Sequence, residues 1–276
     1  MNIEQALATG RQTLSNSDSP ESDCQALLCY ALGCNPTYLH TWRDKLLTDQ
    51  QQHNYSDYVQ QRASGQPIAH IISQRGFWSL DLKVTSNTLI PRPDTETLVR
   101  IALGKVAPEM LIVDLGTGSG AIALALASER ADIKMIGADY SASALAVAKE
   151  NREQCQLNHV VLWQGDWLSA VASRSLDMIV SNPPYIESDD PHLLQGDVRF
   201  EPLSALVSGH DGLDDIRTIA QQAQRCLKPN AWLMIEHGYL QAESVNVIFQ
   251  QAGFVKIETF KDYGDNDRVT IGQQPL

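Results

Sequence analysis

The sequence has no long apolar run, few cysteines and fewer basic than acidic residues. No stretch approaches the ~20 apolar residues that a membrane-spanning helix needs. The first residues, Met1–Gln5, are acidic where a signal peptide would be basic, and no apolar segment follows them. We therefore expect a cytoplasmic protein that contacts no membrane.

The five cysteines form an odd set without a CxxC pair, which argues against a disulfide framework and against a zinc site. Cys24, Cys29 and Cys34 are evenly spaced, but five residues turn a helix by about 140°, so they would share no face. We predict free thiols and no bound metal.

Basic residues number 21 against 33 acidic ones, which gives a net charge of −12. Attachment to a phosphate backbone is driven by Lys and Arg, so this balance disfavours a stable complex with nucleic acid, although it leaves room for a local basic patch. The chain has 276 residues, of which 43% are hydrophobic. These values predict one large globular domain with a small second one, and we expect a monomer.

Residues 1–74 are predicted to form a helical bundle that serves substrate recognition and not catalysis. Ser19 is a typical N-cap before a proline, apolar residues then follow at helical spacing, and Gly33 ends that helix. A second helix is predicted to begin after a Thr48 cap and to end at Gly65.

Residues 75–96 are predicted to form a β-hairpin and linker. Phe77, Leu80, Leu82 and Val84 lie in a nearly alternating run that is typical of strands. In the following Leu89–Glu96 segment two prolines flank an arginine and hold the backbone extended. Asp94 or Thr95 is a candidate N-cap for the next helix.

Residues 97–276 alternate between short apolar strands and helices, which predicts an α/β sheet covered on both faces. The predicted strands are 111–114, 133–139, 160–163, 176–181, 231–235, 254–260 and 269–271. Helices are predicted between them at 121–128, 141–154, 213–227 and 241–252. The long connection 186–211 shows no clear secondary structure, and such loops are usually lids or binding loops.

A glycine-rich turn, Asp114–Gly120, joins the first of these strands to its helix. Glycines permit a sharp turn and a close approach to a ligand, and a helix N-terminus favours a polar ligand group. The spacing is GxGxG, unlike the GxGxxG dinucleotide fingerprint, and no GK[ST] follows. A ligand-binding loop is favoured over an ordinary tight turn, and nicotinamide-dependent oxidation is disfavoured. The candidate residues are Gly116, Thr117, Gly118, Ser119 and Gly120.

The next two strand ends also carry candidate residues. Asp139 ends the second strand, where a carboxylate can accept both ribose hydroxyls of an adenosine. The alternative is a helix N-cap, which Ser141 could supply instead. Asp166 and Trp167 end the third strand and could bond the adenine amino group and cover its face. A half-buried surface aromatic is the alternative for Trp167.

The predicted strand 176–181 leads directly into Asn182-Pro183-Pro184-Tyr185. Two prolines cannot donate to a sheet, so the chain leaves it here with a stiff backbone. The Asn182 side-chain oxygen and the Pro183 carbonyl can each accept one N–H of an NH₂ group, and Tyr185 can stack on a planar group. A rigid strand exit without function is the alternative.

The whole chain resembles the release-factor glutamine methyltransferase family (PrmC/HemK), a group of class I S-adenosylmethionine-dependent methyltransferases. The resemblance rests on the helical N-terminal region, the Leu89–Glu96 linker, Asp114–Gly120, Asn182–Tyr185 and Val198–Pro202. It implies a Rossmann-like mixed sheet and methyl transfer from S-adenosylmethionine, with S-adenosylhomocysteine as product. The acceptor implied is the glutamine side-chain amide nitrogen (N5) in the Gly-Gly-Gln motif of peptide-chain release factors.

Carried over residue by residue, the resemblance implies that Gly116–Gly120, Asp139, Trp167 and Asn182 contact the methyl donor. It also implies that Asn182–Tyr185 hold the glutamine. For Arg199 and Glu201, a structural ion pair is favoured over contact with a partner.

Asn-Pro-Pro-Tyr also occurs in methyltransferases that act on adenine N6 of DNA and guanine N2 of RNA, so the tetrapeptide alone does not choose the acceptor. A nucleic-acid amino-group methyltransferase is therefore the main alternative, and the acidic balance counts against it. A non-catalytic binding protein is a further alternative, against which intact Asn182 and Tyr185 argue.

Overall fold

The computed structural model describes residues Met1–Leu276, and its internal contacts divide them into two units. The first unit contains residues 1–74 together with 194–200. The second contains residues 75–193 and 201–276.

The first unit is helical, and side chains cap the N-termini of three of its five helices. Its helices are α1 (Ile3–Thr13), α2 (Pro20–Leu32), α3 (Pro36–Thr41), α4 (Asp49–Ala63) and α5 (Ile68–Ile71). Gly33 closes α2 in the left-handed conformation, and Thr48 caps α4, as predicted. Helix α1 was not predicted from the sequence. Ser19 occupies the predicted N-cap position before Pro20, but its hydroxyl donates to the Asp23 carboxylate at 3.0 Å and makes no capping bond to the backbone.

Arg62 ties the separate segment 194–200 into this unit. Its guanidinium donates to Asp23 Oδ2 and to Asp197 Oδ1, both at 2.8 Å. Arg199 adds a bond to the Ser64 carbonyl at 3.2 Å. Part of the long connection after the Asn-Pro-Pro-Tyr motif is therefore fixed by residues of the helical unit.

The second unit is an α/β structure that begins with a small hairpin. Its strands are β1 (Gln74–Phe77), β2 (Leu80–Lys83), β3 (Leu111–Leu115), β4 (Lys134–Asp139), β5 (Val161–Gln164), β6 (Leu176–Ser181), β7 (Leu227–Glu236), β8 (Val255–Lys261) and β9 (Asp267–Gln273). Its helices are α6 (Glu96–Leu103), α7 (Ala121–Glu129), α8 (Ala142–Gln154), α9 (Asp214–Cys226) and α10 (Ala242–Gln251).

The seven-stranded sheet has the order β5-β4-β3-β6-β7-β9-β8, and β9 alone runs opposite to the other six strands. The predicted mixed sheet is confirmed, and the antiparallel pair β8 and β9 closes it. Two hydrophobic clusters of buried side chains, around Ile112 and Leu115, pack on this sheet. Strand β7 begins at Leu227 and not at the predicted residue 231, because pairing with β6 starts at Leu176 and Leu227 before an irregularity.

The register brings the motifs to one edge of the sheet. Leu115 at the end of β3 pairs with Ala138 on one side and with Ser181 on the other. The residues that follow these strand ends therefore meet at the carboxyl edge, where ligands bind in open α/β sheets. The connection 186–211, predicted without secondary structure, contains three short 3₁₀ turns.

Candidate active site

A cavity of about 650 Å³ lies in the second unit at the carboxyl ends of β3, β4, β5 and β6. This volume is within the usual range for small-molecule sites. Its lining includes most of the residues that the sequence analysis singled out: Gly116, Thr117, Gly118, Ser119, Asp139, Asp166, Trp167, Asn182 and Pro184. Gly120, Pro183 and Tyr185 lie outside this lining.

Asp114 is hydrogen-bonded to the glycine turn and to α7. Its Oδ2 accepts from the Thr117 hydroxyl at 2.6 Å and from the Ala123 N–H at 3.2 Å. Complete burial raises the pKa of Asp114 to about 7, against the lowering effect of those two bonds. Gly116 and Gly118 adopt φ of +67° and +55°, which side chains with a Cβ adopt only under strain. Gly120 caps α7 and leaves space for Leu124 instead of lining the cavity.

Asp139 connects the second strand end to the glycine turn. One carboxylate oxygen accepts from Gly118 N–H at 2.9 Å, and the other accepts from Ser141 N–H at 2.8 Å. Burial raises its pKa, and the backbone donors oppose that rise. Ser141 caps α8 through its side chain, so the capping role does not fall to Asp139 alone. Each carboxylate oxygen keeps a second lone pair for a ligand hydroxyl.

Trp167 covers one wall of the cavity beside the glycine turn. Its ring lies within 3.5 Å of the position where a Cβ would stand on Gly116. The residue is half-buried and has a φ of +45°, an unusual conformation for an aromatic residue. Asp166 is exposed at the same rim.

Asn182 directly follows β6; the nitrogen of its side-chain amide is hydrogen-bonded and the oxygen is not. The Ser181 hydroxyl donates to the Leu115 carbonyl at 2.8 Å and locks this strand end to β3. Asn182 Nδ2 donates to the Thr95 hydroxyl at 3.2 Å. Its Oδ1 is buried in the cavity wall and has no hydrogen-bond partner. An acceptor left in this state favours a ligand that brings an N–H or O–H donor.

Pro183 and Tyr185 fix the direction of the chain after Asn182. Pro183 is buried and Tyr185 is half-buried. The Tyr185 carbonyl accepts from Gln241 Nε2 at 3.0 Å, and it approaches Gly212 so closely that a Cβ there would lie 2.3 Å away. Burial, reinforced by the Glu236 carboxylate, raises the pKa of the Tyr185 hydroxyl. Tyr185 is therefore a neutral side chain at physiological pH.

The molecule offers no group of three or more His, Cys, Asp or Glu side chains arranged to bind a metal ion, and all five cysteines are free. None of its helices combines the length and the apolar character that crossing a bilayer requires.

Two family models match the chain: the PrmC N-terminal domain at residues 5–72 and the methyltransferase small domain at residues 94–195. The release factor glutamine methyltransferase of Aliivibrio fischeri is 47% identical over 95% of this chain and 93% of its own length. The proteins of the same name from Salmonella typhimurium and Escherichia coli are 45% and 46% identical, over 99% and 94% of both chains.

The chain belongs to the release factor glutamine methyltransferase family.

Solved structures agree on the fold of this family member. A methyltransferase from Pyrococcus furiosus matches 80% of the chain and 100% of its own length, with a TM-score of 0.56 and 16% identity. The ribosomal protein L11 methylase of Lactobacillus delbrueckii matches 71% of the chain and 86% of its own, with a TM-score of 0.51 and 16% identity. At these identities the likeness concerns the α/β fold alone.

The family-typical segment 198–202 makes a different ion pair from the expected one. Glu201 is buried and pairs with Arg92 of the linker, while its second oxygen accepts from the Ile90 N–H at 3.1 Å. Arg199 bonds the Ser64 carbonyl and lies over the ring of Phe200. The predicted ion pair between Arg199 and Glu201 is therefore wrong. Glu201 instead holds the linker that carries Thr95, through its bonds to Arg92 and Ile90.

Sequence reasoning missed three residues of this site. Thr95 was considered only as a helix cap; it holds the N-cap position of α6, but its hydroxyl makes no capping bond and accepts from Asn182. Glu236 ends β7 and is buried. An acid at a strand end, as in Asp114 and Asp139, was the signal that could have found it. Asn151 holds the Ser119 carbonyl at 2.8 Å from within α8, and nothing in the local sequence indicates that contact.

Proposed function

We propose that this chain transfers a methyl group from S-adenosylmethionine to the side-chain amide nitrogen (N5) of the glutamine in the Gly-Gly-Gln motif of peptide-chain release factors. The observation that carries the proposal is the buried, unpartnered Asn182 Oδ1 in the wall of a cavity of about 650 Å³. Membership of the release factor glutamine methyltransferase family supports the same activity and acceptor.

The cavity residues suit S-adenosylmethionine. When bound, this cosubstrate supplies an electrophilic methyl group on a sulfonium. Backbone groups of Gly116–Gly120 would face its polar parts, Asp139 would accept its ribose hydroxyls, and Asp166 with Trp167 would hold the adenine. The positive φ of Gly116 and Gly118 and the remaining lone pairs of Asp139 fit these roles.

The acceptor end of the site must handle an amide nitrogen, which is a poor nucleophile because its lone pair is delocalised. Asn182 Oδ1 and the Pro183 carbonyl would each accept one N–H of the glutamine NH₂ and so orient the nitrogen toward the methyl group. The same two acceptors stabilise the positive charge that develops on nitrogen during transfer. Pro184 keeps the backbone stiff, and Tyr185, a neutral ring, would stack on the planar amide. No strong base is needed, because the proton can leave after the methyl arrives.

The proposal also assigns a role to each part of the chain. Residues 1–74 would recognise the release factor, residues 75–96 would link and support the site, and residues 97–276 would carry out methyl transfer. The helical character of residues 3–71 and the cavity within the second unit support this division. The enzyme would work in the cytoplasm as a monomer, bound to neither nucleic acid nor membrane. Size-exclusion chromatography with light scattering measures the molar mass in solution, and the mass of a dimer would contradict the proposed monomer.

The deciding experiment incubates the protein with labelled S-adenosylmethionine and either purified release factor or ribosomal RNA. We expect label on the release factor alone, and mass spectrometry should place one methyl on the glutamine of Gly-Gly-Gln. A release factor with that glutamine replaced by alanine is the matched control and should stay unlabelled. Label on RNA alone would overturn the proposal in favour of a nucleic-acid amino-group methyltransferase.

A further inference from the structure

Gln241 joins the acceptor motif to two other segments at the carboxyl edge of the sheet. It lies between β7 and α10 and is half-buried. Its side-chain nitrogen donates to the Tyr185 carbonyl at 3.0 Å and to the Asp211 carbonyl at 3.3 Å. Its side-chain oxygen accepts from the Gly238 N–H at 2.8 Å. One amide therefore holds the end of Asn182–Tyr185, the segment before α9 and the turn before α10.

The partners of the Gln241 amide leave it only one orientation. A carbonyl can only accept a hydrogen bond, and a backbone N–H can only donate one. The nitrogen of the amide must therefore face the two carbonyls, and its oxygen must face Gly238. The two ends of the amide are distinguished by backbone groups, whose roles change neither with pH nor with rotation.

The peptide unit that follows Tyr185 is bonded at both of its polar ends. Gln241 binds the carbonyl of this unit, and the N–H of the unit, which belongs to Ile186, donates to the Leu206 carbonyl at 2.8 Å. Pro184 restricts the backbone on the other side of Tyr185. Because the allowed rotamers of a side chain depend on the backbone that carries it, these contacts limit where the Tyr185 ring can point.

Gly212 shows how closely these segments are packed. A Cβ at Gly212 would lie too close to the Tyr185 carbonyl oxygen and only 2.8 Å from Gln241 Nε2. Gly212 also has a φ of +72°, which favours glycine. A side chain at this position would push the Tyr185 carbonyl away from the Gln241 amide, so the bond between them depends on this glycine.

We propose that Gln241 is a positioning residue that holds Tyr185 in the orientation in which its ring stacks on the acceptor amide. The inference rests on the proposed function, in which Tyr185 covers the planar glutamine amide. The Gln241 nitrogen is engaged by two backbone carbonyls, and Gln241 does not line the cavity. It therefore acts through the Tyr185 backbone and not through a contact with the substrate.

The first test compares Gln241→Met with Gln250→Met in the methylation of a release factor. Methionine keeps the length of the side chain and removes its hydrogen bonds, and Gln250 is an exposed glutamine of the same helix. We expect Gln241→Met to lower kcat about 20-fold, because a small misplacement at a reacting centre is costly. The Kd for S-adenosylmethionine, measured by calorimetry, should stay within about twofold, as should the kcat of Gln250→Met.

Gln241→Glu separates loss of the donor from loss of the side chain. A carboxylate has the same shape and still accepts from Gly238, but it places a negative charge against the two carbonyls. We expect its kcat at pH 8 to fall at least as far as that of Gln241→Met. A kcat equal to that of the wild type in either variant would overturn the proposal.

A double-mutant cycle shows whether Gln241 acts through Tyr185. If it does, adding Gln241→Met to Tyr185→Ala should lower kcat by less than about threefold, because the ring that the amide positions is already absent. A role in the general stability of the fold would give the full loss in both backgrounds, and that result would overturn the proposal.

Hydrogen exchange of backbone amides gives a readout that needs no substrate. The Ile186 N–H should exchange at least about tenfold faster in Gln241→Met, because its peptide unit loses one of two bonds, and at the wild-type rate in Gln250→Met. Equal exchange in the two variants would overturn the hold on Tyr185. A wild-type protein that labels no release factor would instead contradict the proposed function, and the exchange rates would still decide whether Gln241 holds Tyr185.

Discussion

The two sides of the cavity are held together in different ways. On the glycine-loop side, Asp114 reaches its partners within nine residues of the chain. On the Asn182 side, Asn182 and Thr95 are 87 residues apart, and Arg92 and Glu201 are 109 apart. The first side is shaped by local turns of backbone, and the second by side chains that only the folded sheet brings together. We expect changes on the two sides to affect different steps of the reaction.

The largest effect should follow from Asn182→Ala. Loss of the oxygen proposed to bind the acceptor should lower kcat on a release factor about 1,000-fold, as removal of one charge-stabilising group does in other enzymes. Binding of S-adenosylmethionine, measured by calorimetry, should weaken far less, because the glycine-loop side is unchanged. Asn158→Ala, an exposed asparagine away from the cavity, is the control and should match the wild type. Unchanged methylation by Asn182→Ala would contradict the assignment of the acceptor side.

This difference between the two sides also explains what the sequence could predict. The strand ends carrying Asp114, Asp139 and Asn182 were recognisable, because strand, turn and helix follow one another along the chain. The partners of Asn182 were not, since no local pattern says that a linker threonine will meet the end of β6. Tertiary packing also decided the partner of Glu201, for which the pairing with Arg199 was predicted and Arg92 was found.

Arg92→Leu tests whether the linker depends on its distant partner. The Glu201 side chain is fully buried, so removal of the Arg92 guanidinium leaves a buried negative charge that this cation no longer neutralises. We expect the free energy of unfolding to fall by about 3 kcal/mol in urea denaturation. Arg100→Leu, an exposed arginine on the following helix, should change it by less than about 0.5 kcal/mol. Equal stabilities for these two variants would mean that the linker does not depend on this pair.

Asp114→Asn should remove a pH dependence of protein stability that arises on the glycine-loop side of the cavity. The pKa of Asp114 is raised to about 7, so its favourable contribution is present in acid and is lost as the pH rises toward 7. The stability of the wild type relative to Asp114→Asn should therefore fall by about 2 kcal/mol between pH 5 and pH 8. Urea titrations at both values measure this change, with Asp44→Asn, a substitution at an exposed position, as the control. A constant difference between wild type and Asp114→Asn would show that Asp114 does not titrate in this range.

Asp139→Ala should distinguish the two sides of the cavity, because it should affect the binding of S-adenosylmethionine more than kcat. It removes the acceptor of the Gly118 N–H and the proposed acceptor of the ribose hydroxyls, so the Kd for S-adenosylmethionine should rise about tenfold or more. At saturating S-adenosylmethionine the kcat should recover most of its value, in contrast to Asn182→Ala. Asp132→Ala, an exposed carboxylate before β4, supplies the comparison. A lost kcat with unchanged affinity would reverse the roles given to Asp139 and Asn182.

The smallest effect is expected for Lys83→Ala, at the contact between the hairpin and α8. The Lys83 ammonium pairs with Glu150, but their side chains are 39% and 54% exposed, and pairs of that kind contribute only a few tenths of a kcal/mol, roughly 0.3. The firm attachment is the backbone of Lys83, whose N–H and carbonyl both bond the buried Asn151 amide. Alanine keeps that backbone, so the urea midpoint should hardly move, and Asn151→Ala should lower it clearly. A large loss in Lys83→Ala would mean that a surface charge, and not the buried amide that also holds Ser119, fastens the hairpin to the glycine-loop side.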